Sequence, residues 1–146
     1  MYDHILLPTD GSDASNAAIE HAASLAEETG ATVHVLSVAD SRNRFESPSG
    51  GIAPDVWRES ELDRAERAVD SAAAALPVEV QVERVVEEGN PQSVITDYAA
   101  DADIDVLVMG THGRTGLDHY LIGSVAERVV RTSPVPVLTV RADEEK

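Results

Sequence analysis

Short apolar runs alternate with longer amphipathic stretches along the whole chain. The apolar runs have the length and the aliphatic content of buried strands, and they fall at residues 4–7, 32–38, 106–109 and 135–140. A fifth run, at 78–86, alternates valine with acidic or polar residues, which predicts a strand with one solvated face at a sheet edge. The stretches between the runs repeat apolar residues at three and four positions, as amphipathic helices do. They predict helices at about 13–29, 56–76, 90–102 and 124–133.

Strands that alternate with helices favour a mainly parallel sheet with helices on both faces. A length of 146 residues fits one domain with one core. The sequence therefore predicts a single three-layer α/β/α domain over residues 1–146. Within it, residues 39–55 are rich in Ser, Arg, Asn, Pro and Gly and predict an exposed loop, and residues 142–146 form a polar tail.

Residues with strong positional preferences mark the ends of the predicted helices. Ser12 or Asp13 can cap the first helix, and Gly30 suits the position just after its last turn. Asn90 followed by Pro91 is typical of an N-cap and first helical residue. The charged residues on the outer face of the helix at 56–76 are expected to form a solvated surface and not a binding site.

The charge balance excludes several classes of function. Asp and Glu total 27 against 11 Lys and Arg, for a net charge of −16, and Lys146 is the single lysine. A nucleic-acid partner or an anionic membrane surface is not expected, because no basic patch is available. Without an interior lysine there is no phosphate-binding P-loop of the GxxxxGK[ST] kind and no Schiff-base chemistry. We hypothesise a halophilic source, because an acidic, lysine-poor chain repels itself in dilute salt.

Cysteine is absent, so disulfides and thiolate metal sites are excluded. The first residues resemble no signal peptide, and no apolar run reaches the roughly 18 residues of a membrane span. A cytoplasmic protein is the expectation.

The segment at 106–130 carries the strongest functional signal. Its apolar run leads into Gly110, Gly113 and Gly116, and then Gly123 and Ser124 precede a helical pattern. Glycines let backbone N–H groups approach a ligand closely, and a helix start adds free donors and a positive dipole end. A strand, glycine-rich loop and helix in this order are typical of a phosphate site. The alternative is a turn in which the glycines serve only the backbone.

The spacing Gly110-x2-Gly113-x9-Gly123-Ser124, with the flanking MGTHGRTG and GSVAERVVRTSPVPVLTV, resembles the ATP-binding branch of the universal stress protein family. The resemblance covers nearly the whole chain. It implies a Rossmann-like sheet of the adenine nucleotide alpha-hydrolase kind, with five parallel strands in the order 3-2-1-4-5. It also implies ATP with Mg²⁺ as the ligand, a regulatory role in the stress response, and a homodimer that pairs through the last strand, at 135–140.

The same resemblance assigns a role to each predicted site residue. On the adenosine side it implies a base contact by Val38 and a ribose or metal contact by Asp10; Met109 and Gly110 form the floor; phosphate contacts fall to the glycine-rich loop and the next helix. The predicted nucleotide-binding residues are Pro8, Thr9, Asp10, Val38, Met109, Gly110, His112, Gly113, Arg114, Gly123, Ser124 and Val125.

Several of these residues have simpler explanations that the sequence leaves open. Asp10 or Ser124 can act only as a helix cap, Arg114 can be a solvated loop residue, and His112 can bond its own backbone. His34, inside the second strand, is expected to be a packed histidine rather than a ligand.

Two other functions compete with nucleotide binding. A non-binding scaffold of the same fold is one. A phosphotransferase or slow ATP hydrolase with Asp10 as nucleophile is the other, but efficient phosphoryl transfer is not expected, since the chain offers no convincing general base and no interior lysine.

Overall fold

The computed structural model describes residues 2–40, 54–111 and 123–141, and the side chains of 13, 14, 54 and 55 lie outside the description. Five strands alternate with four helices in these ranges. The elements are β1 His4–Pro8, α1 Asp13–Thr29, β2 Thr32–Asp40, α2 Pro54–Ala75, β3 Val82–Gly89, α3 Pro91–Asp101, β4 Val106–Gly110, α4 Ser124–Thr132 and β5 Val137–Val140.

The strands form one parallel sheet in the order β3-β2-β1-β4-β5, which confirms the predicted order and the Rossmann-like fold. The central strand β1 pairs with β2 on one side and with β4 on the other. The direction of winding therefore reverses between β1 and β4. In open α/β sheets, ligands bind at the carboxyl ends of the two strands that flank such a reversal.

Helices cover both faces of the sheet, as predicted. On one face, α1 and α2 pack small residues such as Ala22 and Ala72 against Ile5 and Val33. On the other face, α3 and α4 contribute a second apolar cluster. The buried members of this cluster include Leu6, Leu36, Ile95, Ala99, Leu107, Ala126 and Val129. The core thus consists of two layers that share the sheet between them.

The predicted helix caps of α1 and α3 are confirmed. The Ser12 side chain accepts from the Ser15 N–H, and Gly30 ends α1 in the left-handed region at φ 77°. Asn90 caps α3 by accepting from the Gln92 N–H, with proline at the start of the helix.

Several predicted boundaries are wrong, among them those of β2, α2 and β3. Ala39 and Asp40, assigned to the exposed loop 39–55, are buried in β2, because β3 pairs with β2 as far as Asp40 and Gly89. Residues 41–53 of that loop lie outside the described residues, and α2 begins at Pro54. The third strand begins at Val82 and not at Val78, since the chain first turns through a hydrogen bond from Val80 N–H to Pro77 O.

The last strand is shorter than predicted, and one apolar position of α4 faces solvent. Residues 135 and 136 precede β5; the Ser133 hydroxyl accepts from Val135 N–H, while Pro136 O accepts from Leu107 N–H. Val130 of α4 is 46% exposed. The two sheet edges are β3 and β5.

Candidate functional site

The loop after β1 is a tight turn built by its own side chains. The Asp10 carboxylate accepts from Ser12 N–H at 2.9 Å, and the Thr9 hydroxyl accepts from Gly11 N–H at 3.2 Å. The same hydroxyl donates to the Ser15 hydroxyl at 3.1 Å. Gly11 has φ 83°, a conformation that favours glycine. The turn therefore needs no ligand to hold its shape.

The end of β4 and the start of α4 are joined across the segment that separates them. Gly123 N–H donates to Thr111 O, and Thr111 N–H donates to Val140 O at 3.0 Å. Gly123 is the N-cap residue of α4 and makes no side-chain cap bond. The helix thus begins beside the carboxyl end of β4, and among the described residues no side chain bonds its first N–H groups.

Charged side chains of α2 reach the carboxyl ends of the strands, which the sequence analysis did not foresee. Glu61 is only 7% exposed, and it accepts from Asp40 N–H at 2.9 Å. Arg64 donates to Val38 O at 2.8 Å and to Asp10 O at 3.4 Å. These two residues therefore do not belong to the solvated outer face that the sequence predicts for the charges of this helix. One signal was available: Glu61 lies four positions before buried Ala65, in phase with the apolar stripe.

Most of the predicted site residues that the structure describes lie together, at the end of the sheet where the strands have their carboxyl ends. They lie at the carboxyl ends of β1, β2 and β4 and at the start of α4. His112, Gly113 and Arg114 lie outside the described residues. Buried residues in the set are Pro8, Thr9, Val38, Met109 and Gly110; Asp10, Gly123 and Val125 are half-buried; Ser124 is exposed.

The structure excludes two of the simpler explanations, namely that Asp10 or Ser124 acts as a helix cap. Asp10 does not cap α1, because Ser12 does so and Asp10 instead holds the preceding turn. Ser124 does not cap α4, because Gly123 occupies the cap position and its carbonyl accepts from Glu127 N–H at 2.9 Å. The Ser124 hydroxyl stands exposed at the first helical position.

A second polar cluster lies near the amino ends of the strands, away from this edge. His34 is 8% exposed, with Nε2 at 3.1 Å from His4 Nδ1 and Nδ1 at 2.7 Å from the Tyr98 hydroxyl. Burial, followed by the neighbouring His4, lowers the pKa of His34, while Glu83 opposes the shift. Burial likewise raises the pKa of Tyr98, with Glu83 and Glu87 adding to it. His34 is a packed strand histidine, as expected.

The described residues hold neither a metal-binding cluster nor a membrane-spanning helix. In the ranges 2–40, 54–111 and 123–141, no three His, Asp or Glu side chains are grouped to hold a metal ion. No helix in these ranges has the length and hydropathy to span a membrane.

Known proteins resemble this chain in sequence and in fold. Residues 1–141 match the model of the family described as "Universal stress protein family". A universal stress protein of Methanocaldococcus jannaschii is 36% identical over 149 residues, covering 100% of this chain and 86% of the relative.

Solved structures give the same result. The structure of MJ0577, a universal stress protein of the same archaeon, superposes with a TM-score of 0.85 at 28% identity, covering 99% of both chains. A universal stress protein solved in complex with cAMP superposes with a TM-score of 0.69 at 25% identity, covering 97% of this chain and 99% of the other.

Proposed function

The chain belongs to the universal stress protein family, and on that premise we propose that it binds ATP, or another adenine nucleotide, at the carboxyl ends of β1 and β4. In this proposal it acts as a nucleotide-dependent regulatory module of the stress response. A related structure carries cAMP, which supports an adenine nucleotide as the ligand class.

The start of α4 is the observation that carries the proposal. Side chains cap α1 and α3, through Ser12 and Asn90, whereas Gly123 offers none to α4. Uncapped N–H groups and the positive end of the helix dipole favour a bound anion, and phosphate in particular. Because α4 follows β4 at the reversal of the sheet, a phosphate bound there would extend toward β1.

The nucleotide would lie across the edge of the sheet in two halves. Gly123, Ser124 and Val125, together with Gly113 and Arg114 of the glycine-rich segment, would surround the phosphates. Arg114 would then offset phosphate charge that a chain of net charge −16 otherwise repels, and His112 would contact the phosphates. The base and ribose would lie toward Pro8, Thr9, Asp10 and Val38, over a floor of Met109 and Gly110.

Mg²⁺ would accompany the phosphates. It prefers one or two carboxylates together with phosphate oxygens and water. Asp10 fits that requirement, because its carboxylate is half-buried at the crevice and one oxygen accepts only a backbone N–H. The ion would be held jointly by Asp10 and the nucleotide.

Titration calorimetry of Mg-ATP with a Ser124→Glu variant tests the proposal. The new carboxylate would occupy the first N–H groups of α4 as an internal anion and exclude phosphate, while a negative charge at a helix start does not destabilise the helix. We expect micromolar binding by the parent and a loss of at least about tenfold, or about 1.4 kcal/mol, in the variant. Measurements should use the lowest KCl concentration at which both proteins keep their near-ultraviolet circular dichroism.

Gln92→Glu is the matched control, because it adds the same charge in the first turn of α3, where Asn90 already caps the helix. Affinity equal to that of the parent is expected for this control. A folded parent that binds no Mg-ATP would contradict the proposal, and the non-binding scaffold would then be the better description.

We further propose a homodimer that pairs through the last strand. β5 is a sheet edge with Leu138 42% exposed, and exposed apolar edges are normally covered or paired. Leu138→Arg should reduce the molar mass measured by light scattering from dimer to monomer. Val78→Arg, at a position 95% exposed far from this edge, should leave it unchanged. A parent that elutes as a monomer at micromolar concentration would overturn this part of the proposal.

A halophilic source is the last element of the proposal. At a net charge of −16, self-repulsion falls as added salt shortens the screening length. The melting temperature should therefore rise between about 0.1 M and about 2 M KCl. A melting temperature that stays constant over this range would contradict it.

A further inference from the structure

The feature that carries the inference is an ion pair on α2 that joins two strands at the edge of the sheet. The Arg64 Nη2 donates to Val38 O at 2.8 Å and to Glu61 Oε1 at 3.1 Å. Its Nη1 lies 3.4 Å from Asp10 O, and its Nε lies 3.4 Å from Glu61 Oε2. One side chain thus bonds the end of β2, the loop after β1 and its own helix.

Most of the N–H donors of the Arg64 guanidinium are already bonded to oxygens of the protein. An arginine has five N–H donors and no acceptor, and the four contacts above use four of them. Glu61 is also engaged, because its Oε1 accepts from Asp40 N–H at 2.9 Å. Arg64 is therefore directed at protein oxygens, as a brace would be, and not held open for a phosphate.

The burial of the pair argues against a role in stability alone. The Arg64 and Glu61 side chains are 20% and 9% exposed, whereas the Arg67–Asp63 pair on the same helix is 74% and 61% exposed. Taking a charged pair out of water costs free energy that the pair often does not recover, and apolar residues of similar volume are often as stable. A buried pair in contact with two backbone carbonyls instead fixes the position of those carbonyls.

Those carbonyls belong to β2 and to the loop after β1, whereas α4 follows β4 on the other side of β1. Leu36 O accepts from Thr9 N–H, and Val38, two residues further along β2, points its carbonyl toward the same neighbouring strand. β2 is two strands away from β4, or roughly 10 Å. A nucleotide with its phosphates at α4 would therefore bring its base or ribose to Val38 and Asp10.

We propose that Arg64, held by Glu61, is a positioning residue that fixes the base half of the nucleotide site by bracing the Val38 and Asp10 carbonyls. This inference rests on the proposed function and deepens it. A carbonyl oxygen has two lone pairs, so Val38 O can accept from Arg64 and still accept from an N–H group such as the amino group of adenine. Arg64 does not touch the phosphates, so its removal should affect the base half selectively.

Comparison of Mg-ATP with Mg-tripolyphosphate, which has no base or ribose, separates positioning from general stability. In Arg64→Met the affinity for Mg-ATP should fall about tenfold, or about 1.4 kcal/mol. The affinity for Mg-tripolyphosphate should stay within about twofold of the parent, because the phosphate half is intact. Arg64→Lys should not restore Mg-ATP affinity, since an ammonium lacks the planar fork that reaches both carbonyls.

Arg67→Met is the matched control, because it removes the same charge from the same helix at an exposed pair. Both affinities should equal those of the parent. Where Arg64→Met does not fold, the double variant Glu61→Gln/Arg64→Met removes both charges together and leaves no buried carboxylate without its partner. The same selective loss is expected of it.

The outcomes distinguish the inference from the proposed function. A parent that binds Mg-ATP, with both ligands weakened equally or neither weakened in Arg64→Met, overturns the positioning role and leaves nucleotide binding in place. A folded parent that binds neither ligand overturns both. A fall confined to Mg-ATP, absent from Arg67→Met, supports the inference.

Discussion

Replacing His34 should flatten the dependence of stability on pH. His34 is the middle member of a hydrogen-bonded chain from His4 to the Tyr98 hydroxyl. The two nitrogens that face each other, 3.1 Å apart, can share one proton but cannot both carry one. The chain is therefore satisfied when His34 is neutral.

The direction of the pH effect on stability follows from the pKa of His34. Burial and the nearby His4 hold this pKa below its ordinary value of 6.5. In the unfolded chain the residue has its ordinary pKa and binds a proton more readily than in the native protein. Stability rises with pH wherever the unfolded state holds more protons. The contribution of His34 is therefore complete above pH 6.5 and is lost as pH falls from 6.5 through the lower, native pKa.

The contribution of this hydrogen-bonded chain to the free energy of unfolding can be calculated from the bond between His34 and Tyr98. Tyr98→Phe removes a 2.7 Å bond and leaves His34 Nδ1 without that partner. A lost intramolecular hydrogen bond costs about 1 kcal/mol, and a buried group left unpaired raises this to about 1.5 kcal/mol. In a chain of this length the melting temperature should fall by about 3–6 °C.

Urea denaturation at pH 7 and pH 5, in the same salt, measures the pH effect. The parent should lose more free energy of unfolding between the two pH values than His34→Gln does. His21→Gln is the matched control, because His21 is exposed on α1, and it should behave as the parent. Equal pH dependence in His34→Gln and the parent would refute the reasoning, since the titration would then belong to other groups.

Three further changes test the packing that supports the site. Gly89→Ala should cost about 1–3 kcal/mol of unfolding free energy, because Gly89 has φ 149° and an added Cβ would lie 3.1 Å from Val94 Cγ2. Unchanged urea unfolding would show that the backbone at the end of β3 adapts to the new side chain. Asn90→Ala should cost about 1 kcal/mol by removing the cap of α3, and Asn90→Asp, which can still cap, should recover most of the lost melting temperature. Leu107→Ala should cost about 3 kcal/mol at a fully buried position, whereas Val78→Ala, at a 95% exposed position, should cost well under about 1 kcal/mol; similar losses for the two would contradict the assigned core.

Local patterns were sufficient to predict most of the fold. The alternation of apolar runs with amphipathic stretches predicted every strand and helix in order. Ser12, Gly30, Asn90 and Pro91 marked helix ends correctly, because a cap depends on backbone groups no more than four residues away. Errors fell where pairing with a neighbour decides length: β2 continues to Asp40 because β3 pairs with it that far.

The predicted residues at the edge of the sheet came from the spacing of glycines and from the family resemblance. Both concern neighbours along the chain, and the parallel sheet then collects the loops at one edge. Composition also argued against thiol chemistry and a P-loop without any structure, because the sequence has no cysteine and no lysine before Lys146.

Tertiary structure alone decided which charges and polar groups leave the solvent. Arg64 lies 54 residues from Asp10 and 26 from Val38, and His34 lies 64 residues from Tyr98. Helical periodicity assigns a residue to a face but does not say which carbonyl that face meets. That depends on how α2 and α3 cross the sheet, and therefore on long-range packing that no local window of the sequence contains.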